Sequence, residues 1–278
     1  MDHEEYLGHT LAEIASEKAA TIRPGVTAII APQEGEALQV ILDRCRAVGV
    51  RPRLVDSSEH LLQGTEASAD GRYIVTFAND NNEPVQVRLG LRGQHQIVNA
   101  SIAIALAAAL RERGFPINRA AIAKGIELAR HSGRLEINKG RSRILFDGAH
   151  NPAAARVLRD YLDEFVTEPI TLIFGAMRDK ALNKMAGILF PKADELILAS
   201  VDNPRAASIE MLLAAVPSSS DKNSVHQTAS VAEALQLARR ITPPPGLICV
   251  TGSLHLVGAV QEILDHESRR VAHQPMSN

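Results

Sequence analysis

The stretch Ile144-Leu145-Phe146-Asp147-Gly148-Ala149-His150-Asn151-Pro152 decides how this chain is read. Ile144 to Phe146 is a short apolar run of the kind a buried strand uses. Asp147-Gly148 interrupts it. Asn151 is a natural N-cap and Pro152 suits the first helical position, ahead of the pattern Ala153, Ala154, Val157, Leu158, Leu162. A strand therefore runs directly into a helix. The turn between them carries a carboxylate, a small Gly-Ala step and an imidazole. Free backbone N–H groups and the positive end of the helix suit such a turn to an anion. In open α/β sheets, ligands sit at strand ends of this kind. Taken alone, the turn has a second reading: Asp147 shapes the turn, His150 is a surface histidine, and Asn-Pro is only a cap.

Downstream the pattern is regular α/β. Strands are expected near 134–138, 142–146, 169–174, 194–199, 224–227 and 246–251, and helices near 152–166, 180–190, 208–215, 230–240 and 254–265. Helices between the later strands are the crossovers that a largely parallel sheet requires. Only Lys139-Gly140-Arg141 separates the first two strands, which suits an antiparallel edge hairpin. His131-Ser132-Gly133 marks a domain boundary, giving domains 1–132 and 133–278.

Upstream, Thr10-Leu11-Ala12-Glu13 is a capping box. Its helix is expected to run to about Ile22, because Pro24-Gly25 stops it. The stripe Leu11, Ile14, Ala15, Lys18, Ala19, Ile22 places Lys18 on the buried side, where burial disfavours the ammonium form. A neutral lysine is reactive and can form a carbamate with CO2. The other reading is that Lys18 snorkels to the edge of the stripe. Val26–Ala31, Glu36–Val48 and Arg51–Val55 then read as strand, helix and strand, a βαβ-like alternation. Ser57 to Gly71 is polar and expected to be a loop. Arg72–Ala78 and Val85–Leu89 alternate around Asn79-Asp80-Asn81-Asn82, a hairpin signal. Gly93-Gln94-His95-Gln96 precedes a helix expected over 97–113, and Asn118 caps another over 119–129.

The 278 residues are enough for two domains, and 45% hydrophobic with 22% charged residues describes a globular protein. A net charge of −2 argues against a broad footprint on nucleic acid, and 3% aromatics with no Trp argue against a base-stacking platform. Cys45 and Cys249 sit in apolar contexts and read as reduced core residues. No run of 18 apolar residues and no signal peptide are seen, so no membrane contact and a cytoplasmic location are expected.

Three strand ends carry polar residues suited to a ligand: Asp147 with His150, Gly175-Ala176-Met177-Arg178-Asp179-Lys180, and Thr251-Gly252-Ser253. In a parallel sheet these turns fall along one edge. Gly252-Ser253 at a helix start can hold an anion through backbone N–H groups and a hydroxyl. Asp202-Asn203-Pro204-Arg205 follows a fourth strand, and its arginine can face the same edge. No phosphate-cradling Gly-rich loop with Lys-Ser/Thr, no dinucleotide fingerprint, no nucleophile elbow and no zinc spacing is present.

Several motifs, taken in order, resemble a known family. They are Asp2-His3, Leu7-Gly8-His9-Thr10, Ile14 to Ala19, Gly93 to Gln96 with Asn99-Ala100, Gly133-Arg134-Leu135-Glu136, Asp147 to Pro152, Asp202 to Arg205, and Val250 to Leu254. The chain is similar to folylpolyglutamate synthases and dihydrofolate synthases of the Mur ligase superfamily. The resemblance implies a remnant of the central ATPase domain followed by a Rossmann-like C-terminal domain with a mostly parallel sheet. It also implies an ATP-dependent amide ligase that joins L-glutamate to dihydropteroate or a reduced folate through an acyl phosphate.

By resemblance, Lys18 is the lysine whose carbamate helps hold Mg2+, and His3 is a metal ligand. Asn99, Arg134 and Asp147 contact ATP, while His150 and Ser253 lie near the incoming glutamate. Lys18 and His150 are then the catalytic candidates. The partners are small molecules, and a monomer is expected. The phosphate-binding loop of the family is missing, and Met1-Asp2-His3 aligns inside the central domain. A fragment, a late start codon or a degraded paralogue is therefore expected, inactive alone. The alternatives are a non-catalytic binding protein keeping the C-terminal fold, or a Mur-type ligase acting on a peptidoglycan precursor.

Overall fold

The computed structural model describes residues 10–55, 63–78, 81, 83–218 and 221–272. His3, with the rest of the Asp2 to His9 stretch, lies outside the described residues. The chain divides into two compact units, 1–130 and 131–278.

In the first unit, α1 (Leu11–Ala19) starts with both halves of the capping box: Glu13 N donates to Thr10 Oγ1 at 3.2 Å, and Thr10 N donates to Glu13 Oε2 at 3.0 Å. The helix ends at Ala19 rather than Ile22, because Ile22 N closes a turn onto Ala19 O. β1 (Ile29–Ile30) and β2 (Arg53–Leu54) pair in parallel across α2 (Gly35–Ala47). Ala28, Ile30, Cys45 and Val50 form their core. β3 (Gln63–Ala67), β4 (Arg72–Ala78) and β5 (Pro84–Arg92) make an antiparallel sheet. The part of Ser57–Gly71 now seen as β3 overturns the expected loop: ladder pairing of Glu66 with Ile74 and Ala67 with Tyr73 overrides a polar composition. α3 (His95–Glu112) and α4 (Arg119–Leu128) follow, the latter capped by Asn118 Oδ1 on Ala121 N at 2.7 Å.

The second unit is a doubly wound layer. Its elements in order are β6 (Glu136–Lys139), β7 (Arg143–Asp147), α5 (Pro152–Phe165), β8 (Ile170–Phe174), α6 (Leu182–Leu189), β9 (Glu195–Ala199) and α7 (Ile209–Ala214). Then come β10 (Val225–Thr228), α8 (Val231–Ile241), β11 (Leu247–Thr251) and α9 (Leu254–Ala272). The sheet order is β10-β9-β8-β11-β7-β6, parallel except for β6, which forms the edge hairpin with β7.

Residues alternate between the sheet's two faces. Leu145, Leu172, Leu198 and Cys249 pack with Leu158 and Leu162 of α5 and Met185 of α6. Ile144, Phe146, Ile173, Ile248 and Val250 pack with Leu235 of α8 and Leu256 and Val260 of α9. β8 and β11 are buried at every residue, which explains their unbroken apolar sequence. Each such side chain stabilises the fold by roughly 1.5–3 kcal/mol. Cys45 and Cys249 are both free and buried, as core thiols. This packing sets the C-terminal ends of β7, β8, β9 and β11 along one edge, because all four run the same way.

Candidate functional site

Asp147 ends β7, is 7% exposed, and pairs in register with Thr251 at the end of β11. Its two oxygens are held by backbone donors: Leu135 N to Oδ2 at 3.1 Å and Ala149 N to Oδ1 at 2.9 Å. Burial pushes its pKa up to about 6, against those two hydrogen bonds and the charges of Arg134 and His150. Leu135 is 1% exposed and has φ 45, the one non-glycine positive φ among the described residues. Its strained backbone is what turns the Leu135 N–H onto the carboxyl. Arg134, half-buried, is carried on the same turn, where its backbone N–H reaches His131 O at 3.3 Å.

His150 follows three residues later. Its Nδ1 lies 2.8 Å from Gly148 O. A carbonyl only accepts, so Nδ1 carries the hydrogen in this contact, and the bond orients the ring. Asn151 Oδ1 caps α5 by accepting from Ala154 N at 2.9 Å, with Pro152 in the first turn, as the sequence indicated.

The neighbouring turn is built by close backbone approach. Gly252 has φ +106, and a Cβ there would lie 2.6 Å from Gly175 O. Only glycine fits that conformation and that contact. Ser253, 2% exposed, caps α9: its Oγ accepts from Leu256 N at 3.1 Å. Leu254 then covers Gly148 so tightly that a Cβ on Gly148 would fall 2.3 Å from Leu254 Cδ2. The β7–α5 and β11–α9 turns are therefore in contact, and His150 and Ser253 lie on the same rim.

The remaining two turns of the rim are knitted together, which sequence reasoning did not anticipate. Arg178 N donates to Arg205 O at 2.9 Å, and Ala207 N to Ala176 O at 2.9 Å. Arg205 Nη2 sits 3.2 Å from both carboxylate oxygens of Asp179, and Lys180 Nζ lies 3.3 Å from Oδ2. Partial burial alone would raise the Asp179 pKa, yet Lys180 and Arg205 hold it below the usual carboxylate range. A pairing between loops far apart in sequence leaves no local pattern. The only signal was the charge in each motif.

In the first unit, Lys18 is exposed, which overturns the expected burial. α1 buries only Ala15 and Ala19, and these small residues set the packed face one step away from Lys18. Asn99, also exposed, donates through Nδ2 to Gln96 Oε1 at 3.0 Å. Both line a largely apolar cavity of about 350 Å³ between β5, α3 and α4, with Leu91, Ala103 and Ile126 among its walls. Among the described residues, no group of three or more His, Cys, Asp or Glu is placed to hold a metal ion. Among the same residues, no helix is long and apolar enough to cross a membrane.

Residues 133–254 match the family model described as Mur ligase, glutamate ligase domain. A probable bifunctional folylpolyglutamate synthase/dihydropteroate synthase of Haloferax volcanii is 32% identical over 258 residues, covering 92% of this chain and 30% of that protein. A dihydrofolate synthase/folylpolyglutamate synthase of Bacillus subtilis is 29% identical over 269 residues, 95% of this chain and 60% of that one. The structure of Escherichia coli FolC in complex with DHPP and ADP matches with a TM-score of 0.78 at 27% identity, covering 96% of this chain and 61% of that chain. The chain spans less than two thirds of the length of each of these three proteins. Residue order, sheet topology and these likenesses agree: over most of its length the chain is similar to folylpolyglutamate synthases and dihydrofolate synthases, and residues 133–254 match the Mur ligase, glutamate ligase domain.

Proposed function

We propose that this chain carries the glutamate-receiving part of an ATP-dependent amide ligase, with L-glutamate as the amine and dihydropteroate or a reduced folate as the acid. The observation that carries the reading is the shared rim, where the oriented imidazole of His150 and the buried cap Ser253 stand beside Asp147. A helix start with a hydroxyl suits a carboxylate, and an imidazole beside it suits an amino acid's second polar group.

In the proposed reaction the folate carboxylate takes the γ-phosphoryl group of ATP, giving an acyl phosphate and ADP. The glutamate nitrogen attacks the acyl carbon and loses a proton, and the C–O bond to phosphate breaks as the amide forms. Asp147 and Arg134 are the proposed nucleotide contacts of the second unit, and Asn99 is the proposed nucleotide contact of the first. The cavity beside Asn99 and Gln96 supports a flat, apolar-faced group such as a nucleobase. Mg2+ would neutralise phosphate charge, and Lys18, as a carbamate, would help to hold it. The chain would work as a cytoplasmic monomer on small molecules.

Calorimetric titration of the chain with L-glutamate, wild type against His150→Ala, tests the reading. Heat from glutamate that is lost in the variant supports it. Equal affinity in both removes His150 from the amino-acid site. Glutamate binding without amide formation from ATP and dihydropteroate would assign a binding role rather than catalysis.

A further inference from the structure

Glu136 closes the motif Gly133-Arg134-Leu135-Glu136, and the proposed ligation gives it no ligand to touch. It opens β6 and pairs in register with Phe146, the residue before Asp147. Side chains alternate along a strand, so Glu136 and Asp147 sit on opposite faces of the sheet. Phe146 belongs to the face that packs with α9. Glu136 reaches the same helix: Gln261 Nε2 of α9 donates to Glu136 Oε2 at 2.8 Å. Gly133 N donates to the same oxygen at 3.0 Å, and Ser132 Oγ at 3.1 Å. Gln261 Nε2 also donates to Ser132 Oγ at 2.9 Å. One oxygen of a half-buried carboxylate thus gathers three donors, all of them neutral.

The turn inside this clasp holds two residues at positive φ, Gly133 at 65 and Leu135 at 45. A non-glycine residue keeps such a backbone only where its surroundings over-determine it. Here they do so from both faces of the sheet. The Leu135 side chain is buried in the core on the α5 and α6 side. On the other side Glu136 ties residues 132 and 133 to α9, and a Cβ on Gly133 would lie 3.2 Å from Val257 Cγ1 of that helix. Gly148 N donates to Gly133 O at 2.8 Å and joins the turn to the one after β7. Between these anchors lie Arg134 and the Leu135 N–H that reaches Asp147 Oδ2 at 3.1 Å.

We propose that Glu136 is a positioning residue, which sets Arg134 and the Leu135 N–H beside Asp147 from the opposite face of the sheet. The inference rests on the ligase reading only for the ligand that these groups serve. Without the carboxylate, Gly133 N loses its partner, the turn relaxes, and the Leu135 N–H leaves Asp147. A hydrogen bond to the ionised form lowers a carboxyl's pKa, so its loss raises that of Asp147. Withdrawal of Arg134, whose charge also lowers it, adds to the rise. A neighbouring negative charge acts the other way. If Glu136 worked only as a charge, its removal would lower the Asp147 pKa. The remaining groups coupled to Asp147 are His150 and the Cys249 thiol, which burial pushes up and so keeps neutral. Neither is altered by a change at Glu136.

Carboxyl 13C NMR titration of aspartate-labelled protein, with the Asp147 signal identified by its loss in Asp147→Asn, tests the proposal. Glu136→Ala should raise the Asp147 pKa by about one unit, a tenfold gain in proton affinity. Glu136→Gln keeps an acceptor oxygen for Gly133 N and should return most of that shift. Ser132→Ala with Gln261→Ala leaves Glu136 only Gly133 N and should raise the pKa by less. This pair carries the test where Glu136→Ala does not fold. An Asp147 pKa that is unchanged or lowered in the deciding variant overturns the proposal. Calorimetry reads the ligand side. Glu136→Ala should weaken ATP–Mg2+ roughly tenfold and L-glutamate by less than about threefold, because Asp147 and Arg134 are the proposed nucleotide contacts. Equal loss of both ligands would make Glu136 a general brace and overturns the proposal too. Absence of ATP binding to the wild-type chain counts against the ligase reading alone, and the Asp147 titration still decides the role of Glu136.

Discussion

Gly175 and Gly252 meet backbone to backbone: Gly175 N donates to Thr251 O at 3.2 Å, and Gly252 has no room for a side chain against Gly175 O. This contact joins the turn after β8 to the turn after β11 and fixes where α9 starts. Gly252→Ala must find space at φ +106 and against a carbonyl that cannot rotate away. It should cost roughly 3 kcal/mol or more in urea denaturation. Gly187→Ala, where an added Cβ meets nothing within 4 Å, should leave the midpoint close to wild type.

Asp147 predicts a pH dependence with a definite sign. Its folded pKa of about 6 lies above the ordinary 3.8, so the folded state binds more protons than the unfolded state in between. The contribution is fully present below 3.8 and is lost as pH rises through about 6. The change is on the order of 3 kcal/mol across that window. Asp147→Asn should flatten the profile there, measured as unfolding free energy at successive pH values. A variant profile as steep as wild type would show that another group titrates.

His150→Ala should weaken L-glutamate by roughly tenfold or more, the loss of one hydrogen bond to a charged ligand, and ATP by less than about threefold. Separate titrations of the two ligands read this split. Equal losses would place His150 in a structural role, holding Gly148 rather than a substrate.

Lys18→Ala should leave stability within about 0.5 kcal/mol of wild type, because the side chain is exposed. If a carbamate on Lys18 serves ligation, turnover in a ligation-competent protein should fall and recover in part with added acetate or formate. Wild-type turnover in the variant would remove Lys18 from the chemistry.

The second unit was legible because its signals are local. Asn151-Pro152 announces a helix start, and buried parallel strands such as Leu247–Thr251 have no polar face to confuse the pattern. Lys18 misled because helical spacing predicts a stripe but not which residues of it touch another element. Ala15 and Ala19, the smallest members, are the ones buried, in a helix that packs on α2. β3 was hidden because an edge strand draws its order from its partner's ladder rather than from its own composition. The Arg205–Asp179 pair and the raised Asp147 pKa were not readable at all. Both depend on groups that only the completed sheet brings within reach.

The placement of β11 between β8 and β7 has a consequence for how the molecule comes into being. During synthesis β7 and β8 emerge early and must wait side by side without their mutual neighbour. The slot closes only when the final strand is threaded between them, so the rim, and any affinity it confers, arises in one late event rather than growing with the chain.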